Sequence, residues 1–288
     1  MPSDSSTSGW WQHSLARSVH ELFSRCPTGV QVFARSYRGW GRSVPTVETM
    51  EETRKSYHSE LDELRALVVH LGASVIELIP RATNVLLSGD LEGADYLVQS
   101  DDEIDARAHD IESRTFEILA LQAPVAGELR QLVSIIKITS DLERSADLAV
   151  NICKAARRIY GKEIDPVLRG LISKMSEQAE QLYQSAINSF AENDAATAAA
   201  IEDMDSFLDA LHRQFVQAIF ETHARERMDL QLAVQLAIVA RFYERIGDHA
   251  VNIGERVQFA LTGWKPELRA IQRQRQRDAT GEFPITKG

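Results

Sequence analysis

A chain of 288 residues has room for one large domain or two of ordinary size, each with a real core. Only 15 Gly and 8 Pro interrupt a middle dominated by Ala, Leu, Ile, Glu, Gln and Arg, a bias toward long helices rather than sheet. The formal net charge of −10 argues against general binding to nucleic-acid backbones, and Cys26 and Cys153, far apart and without paired metal spacing, argue against a disulfide framework or a cysteine zinc site.

Residues 1–49 hold five Arg against three acids, three of the four Trp, and turn signals at Pro27, Gly29, Gly39, Gly41 and Pro45. This stretch reads as an N-terminal extension outside the fold, with one weakly amphipathic piece, Ser14 to Phe23, and with Met50 as an alternative start. The rest carries 27 basic and 39 acidic side chains, which suits metal ions or basic protein surfaces, a well-solvated exterior being the plainer reading. There is no run of about eighteen apolar residues and no secretory signal pattern at the start. With the reduced cysteines, this predicts a soluble, cytoplasmic chain that meets a membrane only through partners.

From about Thr53 the apolar residues Leu61, Leu64, Val68, Leu71, Val75, Leu78, Ala82 and Leu86 recur three or four apart, a single stripe along a long helix. Gly89 stops it, and Asp90 can cap a second helix running to about Leu121. Pro124 is expected to open a third, carrying Leu132, Ile135, Ile138, Leu142, Ala149 and Ile152. Residues 165–260 supply three more, the first with Asp165 as cap and Pro166 in the first helical position. After Trp264 the apolar rhythm is lost, and Arg269, Arg273, Arg275 and Arg277 mark a basic tail.

The second trio of helices lies on the first at nearly constant offset. Adding 104 takes Leu64 to Leu168, Arg65 to Arg169, Leu78 to Leu182, Asp90 to Asp194, Asp101 to Asp205 and Asp105 to Asp209. Adding 101 takes Leu129 to Leu230, Glu143 to Glu244, Arg144 to Arg245, Asp147 to Asp248, Asn151 to Asn252 and Ile152 to Ile253. The three-residue difference is expected in the link between the second and third helices. Apolar positions match readily between any two amphipathic helices, whereas Glu-Arg-x-x-Asp-x-Ala-Val-Asn-Ile occurring at 143–152 and again at 244–253 does not follow from amphipathicity. The predicted fold is all-α, a tandem pair of antiparallel three-helix bundles with six long helices, spectrin-repeat-like. Its parts are the extension 1–49, repeats at 50–161 and 162–262, and a flexible tail at 263–288.

Each repeat carries two acidic pairs at spacing four: Asp101 with Asp105 and Glu143 with Asp147, then Asp205 with Asp209 and Glu244 with Asp248. Residues four apart share a helix face about 5–6 Å apart at Cβ, so such acids repel unless something positive lies between them. If the second and third helices of a repeat pack antiparallel, its two pairs converge into an all-oxygen nest suited to hard cations such as Mg²⁺, Mn²⁺ or iron. The plainer reading is a solvated helix edge, with Arg144 and Arg245 as counter-charges. Ala146 and Gly247, just before the last Asp of each motif, are small enough to let a neighbour approach.

Other chemistries find little support. A di-iron oxidase needs paired Glu-x-x-His motifs; the nearest match is Asp209-x-x-His212, whose first-repeat counterpart is Ala108. His249, opposite Leu148, reads as a surface or packing residue, and Cys153, opposite Gly254, as core. Neither a phosphate-cradling Gly-rich loop nor a nucleophile elbow occurs, so no enzyme activity is expected.

Two three-helix repeats, each ending in a Glu-Arg-x-x-Asp helix followed by Asn-Ile, resemble the PhoU family of phosphate-transport accessory proteins over roughly residues 50–262. Tyr57 to Arg65 resembles the start of that family, and Tyr243-Glu-Arg-Ile-Gly-Asp-His-Ala-Val-Asn-Ile253 is similar to its signature; Ser145-Ala146 departs from it. The resemblance implies a homodimeric cytosolic negative regulator of phosphate uptake and of the phosphate-starvation response. It would couple the ATPase subunit of the phosphate ABC transporter to a sensor histidine kinase. It also implies multinuclear metal binding, by iron, Mg, Mn or Zn, at Asp101, Asp105, Glu143, Asp147, Asp205, Asp209, Glu244 and Asp248. Alternatives are a metal-free helical scaffold and a metal-dependent phosphate-processing enzyme.

Overall fold

The computed structural model describes residues 47–225 and 228–264, with side chains from Ser56 onward, and the described residues form six helices. They are α1 (Val47–Ser88), α2 (Leu91–Gln122), α3 (Gly127–Arg158), α4 (Pro166–Glu192), α5 (Ala195–Ala224) and α6 (Leu230–Thr262). The described residues contain no strand, as the periodicity requires. The Ser14–Phe23 piece and the basic tail from residue 265 lie outside the described residues.

Local signals set most of the boundaries. Gly89 ends α1 at φ 70°, a left-handed conformation that costs glycine little, and returns its N–H to the Val85 carbonyl at 3.0 Å. Asp90, Asp165, Asp194 and Asp229 each accept a hydrogen bond from the first turn of the helix they precede, with Pro166 at the first helical position of α4. Two expectations shift. Helix α1 begins at Val47, earlier than Thr53, because residues 47–52 contain neither Gly nor Pro. Pro124 does not open α3: α2 exits through left-handed Ala123 (φ 45°), so Pro124 lies in a turn that Ala126 (φ 47°) closes before Gly127. Part of the length difference between repeats falls within a helix, since α5 has 30 residues against 32 in α2.

Contacts along each helix pair give their directions. Arg65 meets Phe190, Gly72 meets Ile187, Thr83 meets Ser176 and Leu87 meets Arg169, so α1 and α4 run antiparallel. Likewise Arg130 with Ala260, Ser134 with Arg256 and Asp141 with His249 place α3 antiparallel to α6. Outside this seam, α2 packs on α3 and α5 on α6. The Asp95–Arg157 ion pair at 3.1 Å ties α2 to α3, and Gly254 is close enough to α5 that a Cβ on it would lie 2.7 Å from the Ala198 carbonyl. One continuous core results, including Leu64, Val68, Leu132, Ile138, Leu168, Tyr183, Leu236 and Tyr243. The helices belong to one compact unit from Arg54 on, with no break between the trios. Ser56–Ser88 is long and apolar enough to cross a bilayer by length and composition, yet its stripe from Leu61 to Leu86 is buried in this core.

The repeat-matched arginines have a structural task. Arg65 donates from Nη2 to the Phe190 carbonyl near the end of α4 at 2.8 Å, and Arg169 donates from Nη1 to the Leu87 carbonyl near the end of α1 at 2.8 Å. Each helix thus lends a cation from its first half to the carbonyl end of the other, where the helix dipole is negative. Charge-assisted bonds of this kind contribute about 1.5–3 kcal/mol before solvent screening. Replacing both with Ala is expected to lower the urea midpoint while leaving helical circular dichroism unchanged at low denaturant.

Candidate functional site

The two acidic pairs of each repeat do converge. Asp101 and Asp105 on α2 share a field with Asp147 on α3, and Glu143 shares it with Asp105 and Asp147. Burial, followed by the charges of Asp105 and Asp147, pushes Asp101 up to about 6, and its Oδ1 is buried without a hydrogen-bond partner. Asp105 and Glu143 are also raised, in each case first by desolvation and then by neighbouring acids. The second repeat repeats the pattern: desolvation, then Asp209, Asp248 and Glu244, carries Asp205 up to about 6, and Asp248 is raised too.

The clusters differ in their surroundings. In the second, Arg241 contacts Glu244 from one turn earlier, and His212 Nε2 lies 4.0 Å from Glu244 Oε2. The first repeat has Ser140 and Ala108 at those positions, with Lys154 and Arg144 as its nearby positive charges. The counter-charge on Glu244 is therefore Arg241, not the adjacent Arg245, because three residues back puts Arg241 on the same helix face. Sequence reasoning missed this pair. The signal was present as a spacing of three, but Arg241 has no counterpart in the first repeat.

Gly247 is where the clusters are most closely shaped by backbone. A Cβ there would lie 2.3 Å from Asp205 Oδ1 and 2.7 Å from Leu208, so the Asp205 carboxylate rests against bare main chain. Ala146, buried at the matching position, puts a methyl group in the corresponding place.

Among the described residues, no three His, Cys, Asp or Glu side chains are already drawn into a coordination set. The donors nevertheless fit a hard cation. All eight are carboxylates, two of them hold protons unusually tightly, and Asp101 presents a buried oxygen with no partner. A divalent ion would offset the burial, and after it the mutual repulsion, that raises these acids. Cys153 takes no part: it is fully buried, and burial pushes its thiol up to about 12. His249 is a packing residue, but not a surface one, since it is buried against α3 with Nδ1 2.9 Å from Asp141 Oδ1.

Comparison with known proteins agrees with this architecture. The family model of the PhoU domain matches twice, over residues 68–156 and 172–257, one match in each trio of helices. The phosphate-specific transport system accessory protein PhoU homolog 1 of Mycobacterium tuberculosis is 35% identical over 214 residues, covering 74% of this chain and 96% of its own. Homolog 2 of the same organism is 34% identical over 214 residues, 74% of this chain and all of its own. Crystal structures of PhoU from Pseudomonas aeruginosa and of the phosphate transport system regulatory protein PhoU from Streptococcus pneumoniae superpose with TM-scores of 0.68 and 0.67. Both are 26% identical and cover 72% of this chain, and they are matched over 100% and 98% of their own lengths.

Proposed function

Because the chain belongs to the PhoU family, we propose that it is a cytoplasmic negative regulator of phosphate uptake, acting by stoichiometric binding rather than by catalysis. In this reading a homodimer links the ATPase subunit of a phosphate ABC transporter to a sensor histidine kinase. The carboxylate clusters, Asp101, Asp105, Glu143 and Asp147 in one repeat and Asp205, Asp209, Glu244 and Asp248 in the other, hold hard divalent cations that shape the docking face. Bound ions would supply charge neutralisation between α2 and α3 and between α5 and α6. The protein's own part is to hold acids from two helices in mutual range, as the elevation of Asp101 and Asp205, first by burial and then by acids on their own and on the facing helix, supports.

The test is recovery of partners from phosphate-replete cells by tagged wild type and by Glu143→Ala/Asp147→Ala/Glu244→Ala/Asp248→Ala. Transporter and kinase are expected with the wild type, and at least tenfold less, about 1.4 kcal/mol of binding, with the variant at unchanged helicity. Equal recovery would separate the acids from docking. Elemental analysis of gently purified protein distinguishes the metal-loaded regulator from a metal-free scaffold.

A further inference from the structure

Polar contacts buried in the seam between repeats are concentrated next to the acid-bearing turns. Thr83 Oγ1 on α1 lies 2.8 Å from Ser176 Oγ on α4 and 2.6 Å from the Tyr243 hydroxyl on α6, one residue before Glu244. The Tyr183 hydroxyl on α4 donates to Ser145 on α3, between Glu143 and Asp147. Asp141, two residues before Glu143, accepts from Asn252 at 3.3 Å and pairs with His249, one residue after Asp248. Thr83, Ser145, Ser176, Tyr183 and Tyr243 are buried, and Asp141 and His249 are each 8% exposed.

The internal repeat shows that packing does not demand these groups. The image of Thr83, Ser176 and Tyr243 in the other half of the seam is Ile187, Gly72 and Leu142; the image of Tyr183 with Ser145 is Ile79 with Ile246; and Asp141 with His249 maps onto Phe242 with Leu148. The same backbone arrangement therefore closes with apolar side chains on one side and a hydrogen-bonded network on the other. An apolar contact tolerates small slides, whereas a buried hydrogen bond opened by a slide leaves desolvated polar atoms without a partner.

We propose that this seam network makes the two acid clusters one cooperative, cation-responsive unit, with Asp141, Thr83, Ser176 and Tyr183 as positioning residues for the acid-bearing turns of α3 and α6. The proposal rests on the cation reading given above. With a cation held by Asp101, Asp105, Glu143 and Asp147, the turn carrying Glu143 and Asp147 would be fixed, and the contacts of Ser145 with Tyr183 and of Asp141 with His249 and Asn252 would pass that constraint through α4 and directly to α6. The turn holding Glu244 and Asp248 is then ordered before its own ion arrives, and the second ion binds more tightly.

Calorimetric titration of the full-length protein with MnCl₂ tests this. Two ions or groups of ions are expected, the second bound about fivefold or more tightly than the first after statistical correction. The Asp141→Leu/His249→Leu variant, which removes both buried partners together, and the milder Tyr243→Phe are expected to keep the stoichiometry and helicity while bringing the affinities together. Independent binding by the wild type would overturn the coupling alone, as would undiminished cooperativity in both folded variants. No Mn²⁺ uptake by the wild type would sink the cation reading and the coupling with it.

Discussion

In cation-free buffer the protein is expected to become more stable as the pH falls from 7.5 to 5, the reverse of ordinary acid denaturation. Asp101 and Asp205 titrate near 6 when folded and near the ordinary value of 3.8 when unfolded. Between those values the folded state binds more protons, so stability falls as pH rises through the window and is lowest above about 6. Each shift, discounted because these side chains are partly exposed, contributes about 1 kcal/mol. Together they predict a Tm about 4–8 °C higher at pH 5 than at pH 7.5 from these two groups. Millimolar MnCl₂ or MgCl₂ should recover that difference at pH 7.5 and have little effect at pH 5, where protons already neutralise the clusters. Asp101→Asn/Asp205→Asn should raise the cation-free Tm at pH 7.5, flatten the pH profile and blunt the response to cations. Scanning calorimetry with and without chelator measures all three, and a Tm that falls steadily from pH 7.5 to 5 in wild type and variant alike would refute the scheme.

Gly254→Ala is expected to destabilise, although replacing a helix-interior glycine by alanine ordinarily stabilises by about 1 kcal/mol. The new methyl group would lie 2.7 Å from the Ala198 carbonyl and 2.9 Å from Ile201 Cδ1. The first obstacle is main chain, so α5 and α6 must separate. Overpacking of this kind typically costs about 1–3 kcal/mol, a Tm loss of about 2–12 °C for a protein of this size. Because α5 also carries Asp205 and Asp209, the cation response of the second cluster should weaken with it, which distinguishes helix separation from simple loss of stability. Chemical denaturation in chelator and in MnCl₂ reads both effects. An unchanged or raised midpoint would show that the two helices yield without cost.

The sequence carried much of this in particular residues. The stripe from Leu61 to Leu86, the stop at Gly89 and the Asp165-Pro166 start are local signals that tertiary packing did not override. The eight acids could be paired because their spacing and repetition are geometric facts about helices, and the structure brings each set of four into one field. Pro124 misled because Ala123 and Ala126, both at positive φ, make a turn where a proline usually marks a helix start. The seam network and the Arg241–Glu244 contact were hidden for a different reason. Matching the two halves brings out what they share, and these residues sit where the halves differ: Tyr243 opposite Leu142, His249 opposite Leu148, Arg241 opposite Ser140. Arg65 and Arg169 were visible as a matched pair, but that each reaches the far end of the other's helix requires knowing that α1 and α4 run antiparallel.

That crossed arrangement of arginines bears on ancestry. A guanidinium at one position grips a carbonyl in the opposite half, and its image returns the grip, which is how identical subunits meet across a dyad. An ancestor with a single trio could have closed the same faces by pairing with its twin. Joining such twins in one polypeptide would free each to mutate alone, so that a dyad equal on both sides could acquire hydroxyls and an imidazole on one side only.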